Sequence, residues 1–269
     1  MGRTRNMGRT GVVLLALPAF VLGLIAGLAA MSAESRSRTE EPAIGDTAGP
    51  PSQRAARHTD LPQRYRIPVT RSQPFVGPVD APVTIVEWGD PTSAATLRMQ
   101  ERLERLRARY SNKLRIVWRN YAPVQRPNAF AASELAMQAY HEAGGERFWK
   151  ARRLLAASPP RSRADLDRVA AALDLDQAGV RKVLDDHVHA AHIVADRRFG
   201  EIFAVSQAPT LFVNGRRVPS GANPTELEGL VDGIVEQELR RAEQLIKGGV
   251  ASASVYAELT RGSGIRAIP

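Results

Sequence analysis

Residues 83–96, reading VTIVEWGDPTSAAT, constrain the fold of this chain more than any other stretch. The run from Val83 to Trp88 is apolar, β-branched and aromatic apart from Thr84 and Glu87. Such a run suits a buried strand. A short turn, Gly89-Asp90-Pro91-Thr92, leads into Ser93, a good helix-capping residue. The pattern then takes a helical period over residues 93–110. Met99, Leu103, Leu106 and Tyr110 share one face, with Arg98, Glu101, Arg102, Arg105 and Arg109 on the other. Glu101 and Arg105 are spaced to pair along that face. Residues 114–118, LRIVW, form the next expected strand. Strand, helix and strand within so short a span make a βαβ unit, so the two strands are expected to run parallel.

Around that unit the sequence places other elements. Residues 65–69, with Pro68 inside, read as a short edge strand, since proline cannot donate to a ladder. Residues 128–203 read as helix, broken at Gly144-Gly145 and at Ser158-Pro159-Pro160. Within that block Ser162 and Asp165 suit a cap ahead of Leu166, Val169, Ala170 and Leu173. A later helical run carries Val180, Val183, Leu184, Val188 and Ala191. The period then changes to that of strands. Asn214-Gly215, between residues 210–213 and 216–219, is a strong hairpin signal because a type I′ turn needs positive φ at both central positions. Asn223, Pro224 and Glu226 open a closing helix with Leu227, Leu230, Val231 and Ile234 as its buried stripe. Gly248-Gly249 ends it, and residues 252–259 are expected to add a short helix.

Residues 11–30 contain no charge over 20 positions, with Arg3, Arg5 and Arg9 ahead of them. A helix of that length spans about 30 Å, the hydrocarbon thickness of a bilayer. By the positive-inside rule the bulk of the chain lies outside the cytoplasm. Residues 1–10 are then a cytoplasmic basic stretch, and residues 11–31 a retained single-pass anchor or a signal segment cleaved near Ala29 or Ala33. The expected address is a bacterial inner membrane with a periplasmic domain, or the periplasm itself after cleavage. Residues 32–63 are rich in Ser, Pro, Gly, Thr and charge and read as a disordered tether. A folded domain over residues 64–247 follows, and 248–269 form a C-terminal extension.

The chain of 269 residues is 43% hydrophobic and 24% charged, with a formal charge of +9. Its arginines interleave with Glu and Asp on expected helices, and no basic run alternates with aromatics, so a nucleic-acid partner is not expected. His187, His189 and His192 diverge around a helix, so a metal site is not expected and a solvated face is. Asp185 and Asp186 read as surface charge, and Trp118, Phe148 and Trp149 as core.

The order βαβ, helical insertion (about 127–204), hairpin and closing helix resembles the thioredoxin fold in its DsbA-like elaboration. The segment GPVDAPVTIVEWGD, 77–90, resembles the approach to the active site in that family. AVSQAPTLFVNG, 204–215, resembles its cis-proline loop and hairpin. The likeness covers about residues 65–245. It implies an α/β fold carrying Cys-x-x-Cys at the first turn of the helix, where here Ser93, Ala94, Ala95 and Thr96 stand. Pro91-Thr92 replaces an aromatic–polar pair, and Ala208 precedes the expected cis residue, Pro209.

The chain contains no cysteine. Disulfide exchange requires a thiolate, so the family's redox chemistry does not carry over. Ser93 would need a general base to act as a nucleophile, and its neighbourhood in sequence offers only Asp90 and no histidine. The reading is therefore non-redox. Ser93, Ala208, Pro209, Trp88 and Pro91 are expected to form an apolar, uncharged groove for an exported or envelope polypeptide, with no cofactor. The alternative is an enzyme using Ser93 with glutathione or another thiol, as the resemblance to kappa-class glutathione transferases and hydroxychromene carboxylate isomerases implies.

Overall fold

The computed structural model describes residues 63–123, 126–221 and 223–262. The expected anchor at 11–31 and nearly all of the expected tether lie outside these residues. Among the described residues no helix is long and apolar enough to cross a membrane.

A five-stranded sheet in the order β1-β3-β2-β4-β5 forms the centre. Its strands are β1 (Phe75–Val76), β2 (Val83–Gly89), β3 (Leu114–Asn120), β4 (Thr210–Val213) and β5 (Arg216–Arg217). β2 and β3 are parallel, with Val83 opposite Leu114 and Gly89 opposite Asn120, as the βαβ unit requires. β4 runs antiparallel to β2, with Trp88 opposite Thr210. Every residue of β2 and β4 is buried. That explains why their sequences are almost continuously apolar rather than alternating.

Helix α1 (Ala94–Tyr110) crosses between β2 and β3, burying Met99, Leu103 and Leu106 against the sheet. Four helices form the insertion: α2 (Pro127–Ala157), α3 (Arg163–Ala172), α4 (Gln177–Asp185) and α5 (Ala190–Ile202). α2 is kinked at Gly144, whose φ of 77° and ψ of −166° leave the helical region, as the glycine pair foretells. Ser162 and Asp165 form the full capping box of α3. At the hairpin, Asn214 and Gly215 both have positive φ, 44° and 78°. Asn214 also ties the hairpin to β2, its Oδ1 accepting from the Thr84 N–H at 2.9 Å. Helix α6 (Pro224–Lys247) is capped by Asn223, whose Oδ1 accepts from the Glu226 N–H. The short α7 (Val255–Leu259) follows.

Three expectations change. Residues 65–69 do not form a strand; the sheet ends at β1 on one side and β5 on the other, and only an isolated bridge links Arg64 to Arg216 of β5. Side chains hold the segment instead. Arg119 donates to the Pro68 carbonyl at 2.7 Å and the Tyr256 hydroxyl to the Ile67 carbonyl at 2.7 Å, taking carbonyls a ladder would use. Arg64 reaches across to buried Glu238 on α6 with two bonds of 2.7 and 2.8 Å. Secondly, the run from Val180 to Ala191 is two helices. His187 takes a left-handed φ of 52°, which ends the helical path, and Val188 is 54% exposed. Thirdly, the basic face of α1 turns to α6 rather than along itself. Arg102 Nε donates to Asp232 at 2.8 Å, Arg105 lies 3.4 Å from Glu228, and Arg109 lies 3.4 Å from Glu236. Helix docking outweighs the local Glu101–Arg105 pairing, worth about 0.3–0.5 kcal/mol at most.

Candidate functional site

The turn between β2 and α1 is built from the Asp90 carboxylate upward. Asp90 is fully buried, and its Oδ1 accepts from the Thr92 N–H at 2.8 Å and the Thr92 hydroxyl at 2.7 Å. Its other oxygen meets the guanidinium of Arg126, which leads into α2. Gly89 is required there because a Cβ would sit 2.1 Å from the Trp118 ring. Ser93 caps α1 in an extended conformation, its Oγ accepting a long 3.4 Å bond from the Thr96 N–H. Thr96 turns inward, only 1% exposed, and its hydroxyl accepts from the Asp90 N–H at 3.4 Å. The hydroxyls at 93 and 96 thus close the turn on itself. Ala94 is exposed and Ala95 half-buried at the helix entrance.

The Ala208–Pro209 peptide is cis, as the loop sequence predicts. Thr210 follows directly and pairs with Trp88, so this loop and the first turn of α1 emerge from the same end of adjacent strands. Between them lies a groove of about 240 Å³. Ala95 and Met99 line it from α1, Ala208 and Pro209 from the loop, and Leu227 from α6. Among the described residues the Ala208 N–H and C=O have no hydrogen-bond partner. An extended segment laid there could take both, as in strand addition.

Three expected members do not line this groove. Ser93 is held in the cap of α1 beside it. Trp88 is fully buried in a cluster with Phe199, Phe203 and Phe212, and its indole N–H donates to the Asp196 carbonyl at 2.9 Å. Side chains alternate along a strand, and at position 88 the buried face wins. Pro91 is also buried, inside the turn. Nor is the groove uncharged: Arg98 from α1 and Glu228 from α6 stand among its lining residues. Arg98 lies on the polar face of α1 and Glu228 off the apolar stripe of α6, so only the docking of α6 against α1 reveals them here.

Beneath the site the sequence reading missed two buried ion pairs. Glu87, in the middle of β2, is fully buried and accepts from Arg152 Nη2 at 3.2 and 3.3 Å. The Arg152 guanidinium sits 3.6 Å from the Trp118 ring centroid and 4.6 Å from that of Trp149. Burial pushes the Glu87 pKa up, against the opposing pull of Arg152, and pushes Arg152 down to about 10. The second pair joins Asp196 on α5 to Arg119 on β3 at 2.7 Å, with both side chains buried. Isolated charged letters inside otherwise ordinary elements gave no local signal for either.

Of the histidines, His187 stays exposed as expected, whereas His189 is buried and His192 half-buried. His187 Nδ1 lies 3.0 Å from Glu134, His189 Nε2 3.1 Å from Gln138, and His192 3.4 Å from Asp196. Among the described residues no group of three or more His, Cys, Asp or Glu is placed to hold a metal ion. Trp118 and Phe148 are core, whereas Trp149 is only partly buried.

Chemically the arrangement gives Ser93 no base. Its polar contact is the Thr96 N–H, and the Asp90 carboxylate is turned to Thr92 and Arg126. A hydroxyl so placed can cap and hydrogen-bond but lacks the activation that nucleophilic attack needs.

The sheet order, the helical insertion and the cis-proline loop beside the helix entrance define a DsbA-like thioredoxin fold. The thioredoxin family model matches residues 70–233, and the chain belongs to that family. Among solved structures, oxidised BdbD of Bacillus subtilis is similar with a TM-score of 0.56 at 18% identity, covering 66% of this chain and 97% of that one. The alpha-DsbA1 protein of Wolbachia pipientis is similar with a TM-score of 0.55 at 15% identity, covering 67% and 96%. Identities this low speak for the fold alone. Among curated sequences, Na(+)/H(+) antiporter NhaA 1 of Salinispora arenicola is 35% identical over 170 residues, 61% of this chain and 25% of that protein. Na(+)/H(+) antiporter NhaA 3 of Salinispora tropica is 37% identical over 154 residues, 56% and 23%. The chain thus spans about a quarter of the length of these curated relatives.

Proposed function

We propose that this chain is a non-redox thioredoxin-fold protein of the cell envelope that holds an extended segment of an exported or envelope polypeptide, as a binding protein or complex subunit. The observation that carries the reading is the unpartnered Ala208 backbone in a groove shared with the first turn of α1. Met99, Leu211, Val218 and Leu227 supply an apolar surface, and Arg98 and Glu228 offer a charge of each sign. Such a groove grips main chain and tolerates varied side chains. The absence of cysteine removes exchange with a client's thiols, leaving reversible association.

An envelope address is supported by the uncharged stretch at 11–30 behind three arginines. It is also supported by the names of the curated relatives, in which a segment like this one belongs to a sodium/proton antiporter. A membrane protein of that kind is accordingly among the partners to be looked for.

The test is in-cell photo-crosslinking from Gln207, which lines the groove and is exposed. The expected result is one or a few discrete adducts with envelope polypeptides, lost when Ala95→Trp fills the groove. Adducts that persist unchanged in Ala95→Trp, or none at all from Gln207, would contradict the reading.

A further inference from the structure

A larger cavity lies on the other side of α1, away from the cis-proline loop. It has a volume of about 590 Å³, within the usual range of small-molecule sites. The kink at Gly144 shapes it. Beyond the kink α2 leans over the sheet edge, and Gly145 comes so close to β1 that a Cβ there would sit 3.0 Å from the Phe75 carbonyl. Phe75, Leu103, Ile116 and Trp149 form its apolar walls.

The polar groups are unevenly spent. Across the opening, Gln100 Nε2 donates to Glu104 at 3.0 Å and to the Trp149 carbonyl at 3.3 Å, and Arg153 donates to Glu104 at 2.6 Å. Glu104 is therefore neutralised. Lys150 donates to the Ala172 carbonyl at 3.1 Å but has no carboxylate partner among the described residues. Arg107, half-buried on the rim, has no ion-pair partner among the described residues. The opposing carboxylates are Glu146, exposed on the rim, and Glu87 on the floor, which Arg152 balances. The remaining rim charge is positive, over an aromatic and aliphatic interior.

We propose that this cavity binds a small amphipathic anion. Its flat apolar body inserts between Ile116 and Trp149, and its carboxylate or sulfonate meets Arg107 and Lys150. The site is separate from the cis-proline groove and independent of it. It exists because a buried ion pair and a kinked helix keep α2 from closing on the sheet.

The test uses 2-naphthoate as probe and the uncharged 2-naphthamide as its control, titrated into the full-length chain by calorimetry. One saturable site with a Kd on the order of 0.1 mM is expected for an anion of this size. Arg107→Ala should weaken naphthoate about five- to tenfold and leave naphthamide unchanged. Ile116→Trp should abolish both, and Val76→Trp, from the sheet edge, serves if that variant fails to fold. No saturable binding by the parent at 5–10 mM probe (about 50 to 100 times that Kd) would overturn the proposal. So would equal binding by a folded cavity-filled variant, or equal loss of both probes in Arg107→Ala.

Discussion

Asp196→Ala should be among the most damaging single substitutions in the folded part of the chain. Asp196 is 2% exposed on α5, and its carboxylate accepts from Arg119 at 2.7 Å and from the Asn120 backbone and side-chain amides at 2.9 and 3.0 Å. Removing it strands the Arg119 guanidinium, whose side chain is 8% exposed, and orphans a buried backbone N–H. Breaking a buried pair in this way costs about 3–5 kcal/mol. The orphaned amide belongs to the same network, so its own cost of about 1–3 kcal/mol does not simply add. With a urea slope of roughly 2 kcal/mol/M, the unfolding midpoint should fall by about 2 M. The pH profile gives a second readout. Burial raises the Asp196 pKa, but His192, Arg119 and the Asn120 N–H outweigh it and hold the carboxyl below its ordinary value. A folded-state pKa below the unfolded one means the stabilisation is present above about pH 4 and is lost as pH falls through the folded value. Asp196→Asn should therefore flatten the acid limb of the stability profile. A midpoint shift below about 0.5 M in Asp196→Ala would refute the reasoning.

Three further outcomes are expected. Glu87→Leu alone should cost about 3–5 kcal/mol, yet the double variant Glu87→Leu/Arg152→Met should be neutral or more stable by about 1–4 kcal/mol, because the pair's desolvation offsets its attraction; a urea double-mutant cycle measures this. Truncation after Lys247 removes the Tyr256 hydroxyl from the Ile67 carbonyl and Ser252 from the Asp80 carbonyl, and should make residues 64–69 the first site of limited proteolysis. Ser93→Ala should cost less than about 1 kcal/mol in urea unfolding, since the cap bond is 3.4 Å long, and should leave the Gln207 crosslinks intact.

Most of the architecture was legible because its signals are local. The βαβ unit, the Asn214-Gly215 turn, the Ser162 cap and the Gly144 break each rest on residues within one or two turns of one another. What the sequence hid depends on residues far apart along the chain. The Asp196–Arg119 pair is separated by 77 positions and the Glu87–Arg152 pair by 65, and neither partner alters the period of its own element. For the groove, the loop and helix entrance are foreseeable, but proximity in sequence also suggests Ser93, which only caps the helix beside it, and Trp88 and Pro91. Strand alternation and the buried turn send the latter two side chains inward instead. The charges on its rim come from α1 and α6, whose acidic and basic faces look solvated until the helices dock.

Position 93 lies where a helix entrance would activate a sulfur, although the chain carries a hydroxyl there. Ser93→Cys introduces the sole thiol of the protein, so its titration by thiolate ultraviolet absorbance is free of background. A pKa depressed into the range of about 3.5–7.5 is the expected result. A value at or above the ordinary 8.5 or so of a free thiol would contradict it.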